Sequence, residues 1–177
     1  MFGSIYLFLF ENNTMAASDL QTAAQLLQQE QDFQFLAFDS TIALELGLLI
    51  IKTAQQKGIP VVISIKLNGH LLFHYSMPGT SPADVELARK KSNVVSEFRH
   101  SSLYVGEYLS QQKGEIYFVD EKEYVAQGGA FPLIVKGVGV VGSITVSGLI
   151  HTEDHDLVIG CLKEFFGLEK EGKNKVE

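Results

Sequence analysis

Several residue types are scarce in this chain, and each scarcity argues against a class of protein. Its 177 residues include no tryptophan, four prolines and one cysteine, Cys161. A single cysteine cannot build an internal disulfide framework, so we expect a reducing compartment and a cytoplasmic protein. Basic residues are also few, 14 against 21 acidic ones, which gives a net charge of −7. Because nucleic-acid binding needs a basic surface, we expect no nucleic-acid partner.

Long apolar segments are scarce too. Residues 1–10 are strongly apolar, but a membrane span takes about 20 residues, and the positive charges of a secretory signal are missing. We therefore expect no membrane association. With 46% hydrophobic and 20% charged residues, the composition is that of a globular protein. We predict an extension outside the fold over residues 1–14, a single domain over residues 15–168 and a charged tail over residues 169–177.

Two pairs of apolar, β-branched runs predict β-hairpins in a sheet. Asn68-Gly69 separates residues 61–67 from residues 70–76, and this dipeptide favours a two-residue hairpin turn. A second glycine turn, Gly137-Val138-Gly139, separates two further apolar runs. These runs are nearly continuous in hydrophobic residues, which indicates that both faces of the sheet are covered.

The second turn also matches the G-x-G-x-x-G pattern of dinucleotide-binding proteins, over residues 137–142. That function needs a helix directly after the glycines, because the helix N-terminus holds the pyrophosphate. The residues that follow, 143–147, are β-branched and predict a strand. We therefore interpret the glycines as a hairpin turn and expect no nucleotide site.

Capping patterns predict the helices. A first, glutamine-rich helix that ends at Glu30 should be mostly exposed. A second helix should begin after Asp39 and end at Gly58, and a third should begin at Ser81-Pro82. The last helix should cover residues 153–166, with Thr152 as its N-cap. Together with the hairpins, these helices predict an α/β (α+β) fold.

One charged residue, Lys91, lies within the apolar arc of the third helix. We consider two interpretations. In the one we favour, the aliphatic stem of Lys91 lies along the core and its ammonium group reaches solvent. In the other, the ammonium group is held at the rim of a pocket to meet an anionic ligand.

The segment from His151 to His155 is the densest group of titratable residues. Its two histidines resemble the H-x-x-E-H zinc signature, but Asp154 replaces the glutamate and no third ligand is evident, so we predict no metal site. A histidine beside carboxylates titrates near neutrality. His155 can therefore donate hydrogen bonds to a ligand, or it can act as a polar lid over the end of the sheet.

A second polar segment, His100-Ser101-Ser102, places hydroxyl groups beside an imidazole. Neighbours in sequence rarely form a nucleophile–base pair, and the G-x-S-x-G pattern of hydrolases is absent. Capping of the following helix, which starts near Leu103, is the favoured role. We identify no catalytic residue.

The order and spacing of several short motifs resemble the UPF0303 family. The motifs are Pro78-Gly79-Thr80, Arg89-Lys90-Lys91, Phe98 with His100-Ser101-Ser102, Tyr124 with Gly128-Gly129-Ala130-Phe131-Pro132, Val146-Ser147-Gly148-Leu149 and Glu153-Asp154-His155. This family is similar to the GlcG/HbpS haem-binding proteins and to the C-terminal domain of PduO-type proteins. The resemblance implies a profilin-like three-layer α/β/α fold with a five-stranded antiparallel sheet, homo-oligomers, and haem or corrinoid ligands in the wider superfamily.

The basic segment departs from the family pattern. The family usually has Trp-Ile-x-Arg-Lys, whereas residues 87–91 of this chain are Leu-Ala-Arg-Lys-Lys. Lys91 falls on the family's lysine. The tryptophan is absent and lysine replaces the arginine, and lysine cannot reproduce the planar fork of a guanidinium group.

These observations lead to two hypotheses. The first is a cytoplasmic homo-oligomer that binds haem, another tetrapyrrole or a small anionic ligand in a pocket with apolar walls and a few polar groups. The residues that we expect to line this pocket are Lys91, His100, Ser101, Ser102, Gly128, Gly129, Asp154 and His155. The second is a structural or protein-interaction homo-oligomer, in which the same polar groups form a buried network between subunits. An enzymatic activity is the third and weakest interpretation.

Overall fold

Ten helices and strands make up the part of the chain that the computed structural model describes, residues 23–111 and 120–173. They are α1 (Ala23–Asp32), β1 (Gln34–Phe35), α2 (Ser40–Lys57), β2 (Val62–Leu67), β3 (His70–Ser76), α3 (Pro82–Phe98), α4 (Ser102–Gln111), β4 (Ala130–Val135), β5 (Gly139–Ser147) and α5 (His151–Lys173). The predicted extension, residues 1–14, lies outside the described residues. No helix in these two ranges is both long and apolar enough to cross a membrane.

The five strands form one sheet in the order β1-β4-β5-β2-β3. The expectation of a wholly antiparallel sheet is wrong, because β1 pairs parallel with β4, Gln34 with Ile134 and Phe35 with Val135. The other neighbouring strands are antiparallel. A hairpin forces its two strands to be antiparallel, but β1 and β4 are joined by a long connection that allows either direction.

Both predicted hairpins are confirmed. Asn68 and Gly69 have φ values of 48° and 80°, as a type I′ turn between β2 and β3 requires. Gly137 and Gly139, with φ values of 80° and 108°, form the turn between β4 and β5. Residues 139–147 are a strand and not a helix. The dinucleotide interpretation is therefore excluded for these glycines, as the sequence predicts.

The predicted starts of α2 and α3 are also confirmed. An Asp39 carboxylate oxygen accepts hydrogen bonds from the backbone N–H groups of Thr41 and Ile42, at 2.9 and 3.0 Å. Gly58, with a φ of 66°, ends α2. Ser81 and Asp84 form a capping box at the start of α3. These local signals placed both helices correctly because capping depends only on neighbouring residues.

The last helix differs from its prediction at both ends. It begins at His151, so Thr152 lies inside it, and the backbone N–H of Asp154 already donates to the carbonyl of Ile150 at 3.0 Å. An Asp154 carboxylate oxygen accepts the N–H of Leu149 at 3.1 Å, which satisfies a donor just before the helix. The helix also continues past Phe166 to Lys173. Residues 168–171, Leu-Glu-Lys-Glu, are strong helix formers.

The two faces of the sheet differ in chemistry. One face packs against α2 and α5 through an apolar core. The strand residues in that core include Ile63, Ile65, Phe131, Leu133, Ile144 and Val146. The opposite face packs against α3 and is lined by small hydroxyl side chains. Those residues are Ser64, Ser143, Thr145 and Ser147, and the hydroxyl oxygens of Ser143 and Ser92 of α3 lie 2.9 Å apart.

Candidate functional site

The predicted site residues gather at one end of the sheet, where β4 begins and β5 ends. They form two clusters. The first contains Lys91, Asp154 and Gly129, and the second contains the corner between α3 and α4, which holds His100, Ser101 and Ser102. Gly128 and His155 lie against each other beside the first cluster. The structure therefore brings together residues that are far apart in the sequence.

Lys91 and Asp154 form an ion pair, with 2.6 Å between Lys91 Nζ and Asp154 Oδ2. Both side chains are buried, 3% and 0% exposed. The interpretation that the Lys91 ammonium group reaches solvent is therefore wrong, because a buried carboxylate from α5 meets it. Burial raises the pKa of the Asp154 carboxyl, and the nearby Lys91 charge opposes that rise. The pair joins α3 to the first turn of α5, across the end of the sheet.

Two glycines make this contact between helices sterically feasible. A Cβ on Gly128 would meet the carbonyl oxygen of His151, and a Cβ on Gly129 would meet the carbonyl oxygen of Val146. The same Cβ on Gly129 would lie 2.9 Å from the Cβ of Asp154. Gly129 also has a φ of 123°. Only glycine fits both the space and the backbone conformation.

We expect Gly129→Ala to lower the free energy of unfolding by about 2–4 kcal/mol, because it adds strain at a positive φ to backbone clashes. Gly160→Ala is the matched control. No atom lies within 4 Å of a Cβ at Gly160, which is an exposed residue of α5, so that change should be neutral or slightly stabilising. Urea unfolding of both variants tests this, and equal stabilities would contradict it.

His155 is fully buried and neutral at pH 7. Its Nε2 lies 2.9 Å from Gln29 Oε1 on α1, so we assign the proton to Nε2. Its Nδ1 has no hydrogen-bond partner among the described residues. Burial lowers the pKa of His155 to about 4. The expectation that His155 titrates near neutrality is therefore wrong, because the low-dielectric surroundings disfavour the imidazolium.

Glu30 of α1 orients the corner between α3 and α4. One oxygen of its buried carboxylate lies 2.8 Å from His100 Nδ1, and the other accepts the backbone N–H of Ser101 at 2.8 Å. Since a carboxylate accepts, His100 Nδ1 carries a proton, and in the neutral imidazole Nε2 is then the nitrogen with the free lone pair. The His100 side chain is 42% exposed, against 5% for Glu30. No described residue hydrogen-bonds to Nε2.

The two serines of the corner have structural roles. Ser101 Oγ accepts the backbone N–H of Tyr104 at 3.2 Å, which confirms its predicted role as a helix cap. Ser102 Oγ accepts the backbone N–H of Ala130 at 3.0 Å, and it lies 3.3 Å from the carbonyl oxygen of the same residue. Ser102 therefore attaches α4 to the start of β4. Both side chains are fully buried.

A row of aromatic rings extends from His100 along α4. The ring centroids of His100 and Tyr104 are 4.8 Å apart. Those of Tyr104 and Tyr108 are 6.3 Å apart, with an angle of 23° between the rings. Tyr108 is 39% exposed and Tyr104 is half-buried. The i, i+4 spacing on a helix places these rings on one side, so the corner presents an imidazole beside an exposed aromatic surface.

Backbone conformation also fixes the position of His100. Arg99, the residue before it, ends α3 with a φ of 60°, a left-handed conformation that non-glycine residues rarely adopt. Its backbone N–H donates to the carbonyl of Val95 at 2.9 Å, and its guanidinium donates to the carbonyl of Val140 at 3.2 Å. The chain therefore turns sharply at Arg99, and His100 is held at the outside of the turn.

Sequence reasoning missed the two residues of α1 that bond to these histidines, Gln29 and Glu30. The helix was predicted to be mostly exposed, and within it only Leu26 and Glu30 are buried, together with Phe33 just after its end. Their spacing of four and three residues is that of a helix face turned to the core. A glutamate on such a helix face is the signal that the sequence offered. Lys91 was noticed on the apolar arc of α3 in the same way.

The described residues show no metal cluster at this end of the sheet. Within residues 23–111 and 120–173, no three His, Cys, Asp or Glu side chains lie close enough to hold a metal ion between them. A shallow cleft of about 290 Å³ lies at the end of α2, and its lining includes Gln55, Pro60 and Met77 but none of the predicted residues.

The protein is an α+β protein with a mixed five-stranded sheet between helices and with buried polar contacts at one end of the sheet. Comparison with known proteins agrees with this. A model of the family "Haem degrading protein HbpS-like" matches residues 38–163. The chain belongs to this HbpS-like family.

Relatives in this family carry the name UPF0303, which the sequence motifs predict. A UPF0303 protein of Serratia proteamaculans is 39% identical over 153 residues, which cover 85% of this chain and 93% of the relative. One of Paraburkholderia phymatum is 40% identical over 154 residues, with 85% and 92% covered.

Solved structures share the fold. The Ybr137w protein is 28% identical, with a TM-score of 0.75, over 84% of this chain and 89% of that one. The PduOC protein, solved as a complex with haem, is 23% identical with a TM-score of 0.62, over 73% and 94%. At 23% identity, the similarity to PduOC is evidence for a shared fold only.

Proposed function

We propose that this protein binds haem, or a related metal-containing tetrapyrrole, on the surface formed by His100, Tyr104 and Tyr108. Nε2 of His100 is the metal ligand in this proposal. The observation that carries it is the hydrogen bond of 2.8 Å between His100 Nδ1 and the buried Glu30 carboxylate. In the neutral imidazole, this bond fixes the tautomer and leaves the Nε2 lone pair free on the side of the ring away from Glu30.

The arrangement fits what haem iron requires. Histidine is the commonest protein ligand of haem iron, and metal-bound histidines usually donate their other N–H to a carboxylate or a carbonyl group. The exposed faces of Tyr104 and Tyr108 supply an apolar surface for a planar ligand. Arg99 supplies a cation one residue before His100, which suits the carboxylate groups of haem on a protein of net charge −7.

The family supports the class of ligand. Its description names haem degradation, and a structural neighbour, PduOC, was solved with haem. The proposal concerns binding only. Bound haem would contribute an iron centre that accepts an imidazole ligand, and the chain contributes the orientation of that imidazole.

The remaining predicted residues have supporting roles in this proposal. Lys91 and Asp154 neutralise each other, His155 is neutral and buried, and Gly128 and Gly129 give them room. The hypothesis that Lys91 and His155 contact an anionic ligand stays a prediction. We instead propose that they hold the end of the sheet, on which the corner rests through the Ser102–Ala130 bonds.

A haemin titration of the full chain tests the proposal. We expect a saturable shift of the Soret band with one haemin per chain, and at least 10-fold weaker binding for His100→Ala. Glu30→Gln should weaken binding about 10-fold, because it loosens the orientation of the imidazole. His70→Ala is the matched control, since His70 is an exposed histidine on β3, and its affinity should not change.

Three outcomes would contradict this proposal. Equal affinities of His100→Ala and His70→Ala would show that surface histidines bind haemin without a specific site. Absence of saturable binding, with an oligomer of unchanged mass, would favour the second hypothesis, a structural or interaction homo-oligomer. Loss of binding in His155→Ala but not in His100→Ala would move the site to the interior cluster.

A further inference from the structure

The negative charge of Glu30 is buried and is not balanced by a fixed cation. Its side chain is 5% exposed. One carboxylate oxygen lies 2.8 Å from His100 Nδ1, and the other accepts the backbone N–H of Ser101 at 2.8 Å. No lysine or arginine of the described residues forms an ion pair with this carboxylate. The charge of Glu30 is therefore directed toward the His100 ring.

The position of the Glu30 carboxylate is fixed from two directions. Leu26, one turn earlier on α1, is fully buried, and residues four apart lie on the same face of a helix. Ser101, also fully buried, binds the second carboxylate oxygen at the start of α4. The charge is thus held beside the inner nitrogen of His100, whose side chain is 42% exposed.

A carboxylate in this position makes the opposite nitrogen, Nε2, a stronger electron donor. When a metal-bound histidine donates its other N–H to a carboxylate, the ligand nitrogen becomes more basic toward the metal. Stronger donation favours the more positive metal centre, and the hydrogen bonding of the axial ligand is one of the features that set the potential of haem iron. Ferric haem has one more positive charge at its centre than ferrous haem. His100 should therefore distinguish the two oxidation states.

The surroundings of His100 favour the same oxidation state. Water reaches the half-exposed ring and stabilises a charged centre bound to it, whereas an apolar pocket would disfavour that charge. The net charge of −7 also attracts a cationic centre.

We propose that the Glu30–His100 pair selects tetrapyrroles that contain a trivalent metal, and so prefers ferric to ferrous haem. The inference rests on the proposed function, because it takes Nε2 of His100 as the metal ligand, and it adds the oxidation state of the ligand. Glu30 is a positioning residue that acts through His100 and does not touch the ligand.

Two redox-inert probes test the charge of the metal centre. Gallium(III) protoporphyrin has the charge of ferric haem, and zinc(II) protoporphyrin has that of ferrous haem. In fluorescence titrations we expect the full wild-type chain to bind the gallium(III) probe at least 10-fold more tightly. Glu30→Gln should weaken gallium(III) binding about 10-fold and zinc(II) binding about threefold, because a loosened imidazole affects both probes whereas the lost charge affects the trivalent one more.

Glu107→Gln is the matched control for these titrations. It removes the same charge from a half-buried position on α4, outside the His100–Glu30 pair. If the effect of Glu30 came only from the net charge of the chain, both variants would change the ratio of the two affinities equally. We expect Glu107→Gln to keep the wild-type ratio.

The midpoint potential of the haem-loaded protein is an independent measurement. An electrode supplies the one electron that converts ferric to ferrous iron, and no covalent bond of the porphyrin changes. A threefold loss of ferric preference in Glu30→Gln should raise the potential by about 28 mV, since a tenfold change corresponds to 59 mV for a one-electron couple. A merely structural role of Glu30 would leave the potential unchanged.

Equal affinities of wild type for the two probes would overturn the inference even where haemin binds, and so would equal weakening of both probes by Glu30→Gln. If His100→Ala binds haemin as tightly as wild type does, the proposed function fails together with this inference. The comparison of the two probes on wild type needs no substitution, so it remains decisive if far-UV circular dichroism shows that Glu30→Gln does not fold.

Discussion

Replacing Lys91 with methionine should lower the free energy of unfolding by about 3–5 kcal/mol, the range measured when one partner of a buried ion pair is removed. The carboxylate of Asp154 would remain in the interior, 0% exposed, without its cation. Burial already raises the pKa of this carboxyl, and the substitution removes the charge that opposes the rise. Asp154→Asn should have a similar cost, because it leaves the ammonium group of Lys91 buried and unpaired.

A double-mutant cycle separates the pair from the other contacts of each residue. The variant Lys91→Met/Asp154→Asn removes both charges, and its loss should be about 2 kcal/mol smaller than the sum of the single losses. The asparagine can still accept the Leu149 N–H, so the start of α5 should be kept. Lys136→Met, at an exposed lysine, should change stability by less than about 0.5 kcal/mol. Urea unfolding at pH 7 provides these values, and additive losses would contradict a coupled pair.

Acid should destabilise the protein through His155. Its pKa is about 4 in the folded chain and 6.5 without burial. Between these values the unfolded state binds more protons than the folded state, so stability falls as the pH falls. The stability that depends on a neutral His155 is fully present above pH 6.5, decreases between pH 6.5 and pH 4, and is lost below pH 4. The shift of about 2.5 pH units corresponds to a loss of about 3 kcal/mol.

Comparison with His155→Gln isolates this contribution from the carboxylates that titrate in the same window. Glutamine can still donate to Gln29 Oε1, but it takes up no proton. We expect urea unfolding at pH 7, 6, 5 and 4 to show a steeper loss for wild type than for His155→Gln, by about 3 kcal/mol over the whole window. His70→Gln, on the exposed edge strand, should follow wild type. Parallel profiles for wild type and His155→Gln would contradict the assignment.

Features set by neighbouring residues could be predicted from the sequence. The Asp39 cap, the Ser81-Pro82 start and the Asn68-Gly69 turn depend on hydrogen bonds and φ values within a few positions. Lys91 was identified for the same reason, because helical spacing alone places it on the apolar arc. Whether its ammonium group reaches solvent depends on a residue 63 positions away on another helix. No local pattern contains that information, and the favoured interpretation was wrong.

The same limit applies to the candidate site: its locally determined features could be predicted from the sequence, and its long-range contacts could not. The polar segment that begins at His100 interrupts the apolar helical pattern and could be recognised from the sequence. Its hydrogen-bond acceptor, Glu30, belongs to a helix that was expected to be mostly exposed. The parallel pairing of β1 with β4 is likewise set by tertiary packing, since two residues of strand carry no signal of direction. The early start of α5 at His151 depends on the Asp154–Leu149 bond, which competes with the predicted cap at Thr152.

The contrast between the two faces of the sheet has a thermodynamic consequence. The face toward α2 and α5 is held by apolar burial, which weakens on cooling. The face toward α3 combines buried apolar residues of that helix, Ala88, Val94 and Val95, with the Ser92–Ser143 hydroxyl contact and the Lys91–Asp154 pair at its end. Cooling should therefore weaken the contribution of the α2 and α5 layer more than that of the α3 side, where the Ser92–Ser143 contact and the Lys91–Asp154 pair add a contribution that is not hydrophobic.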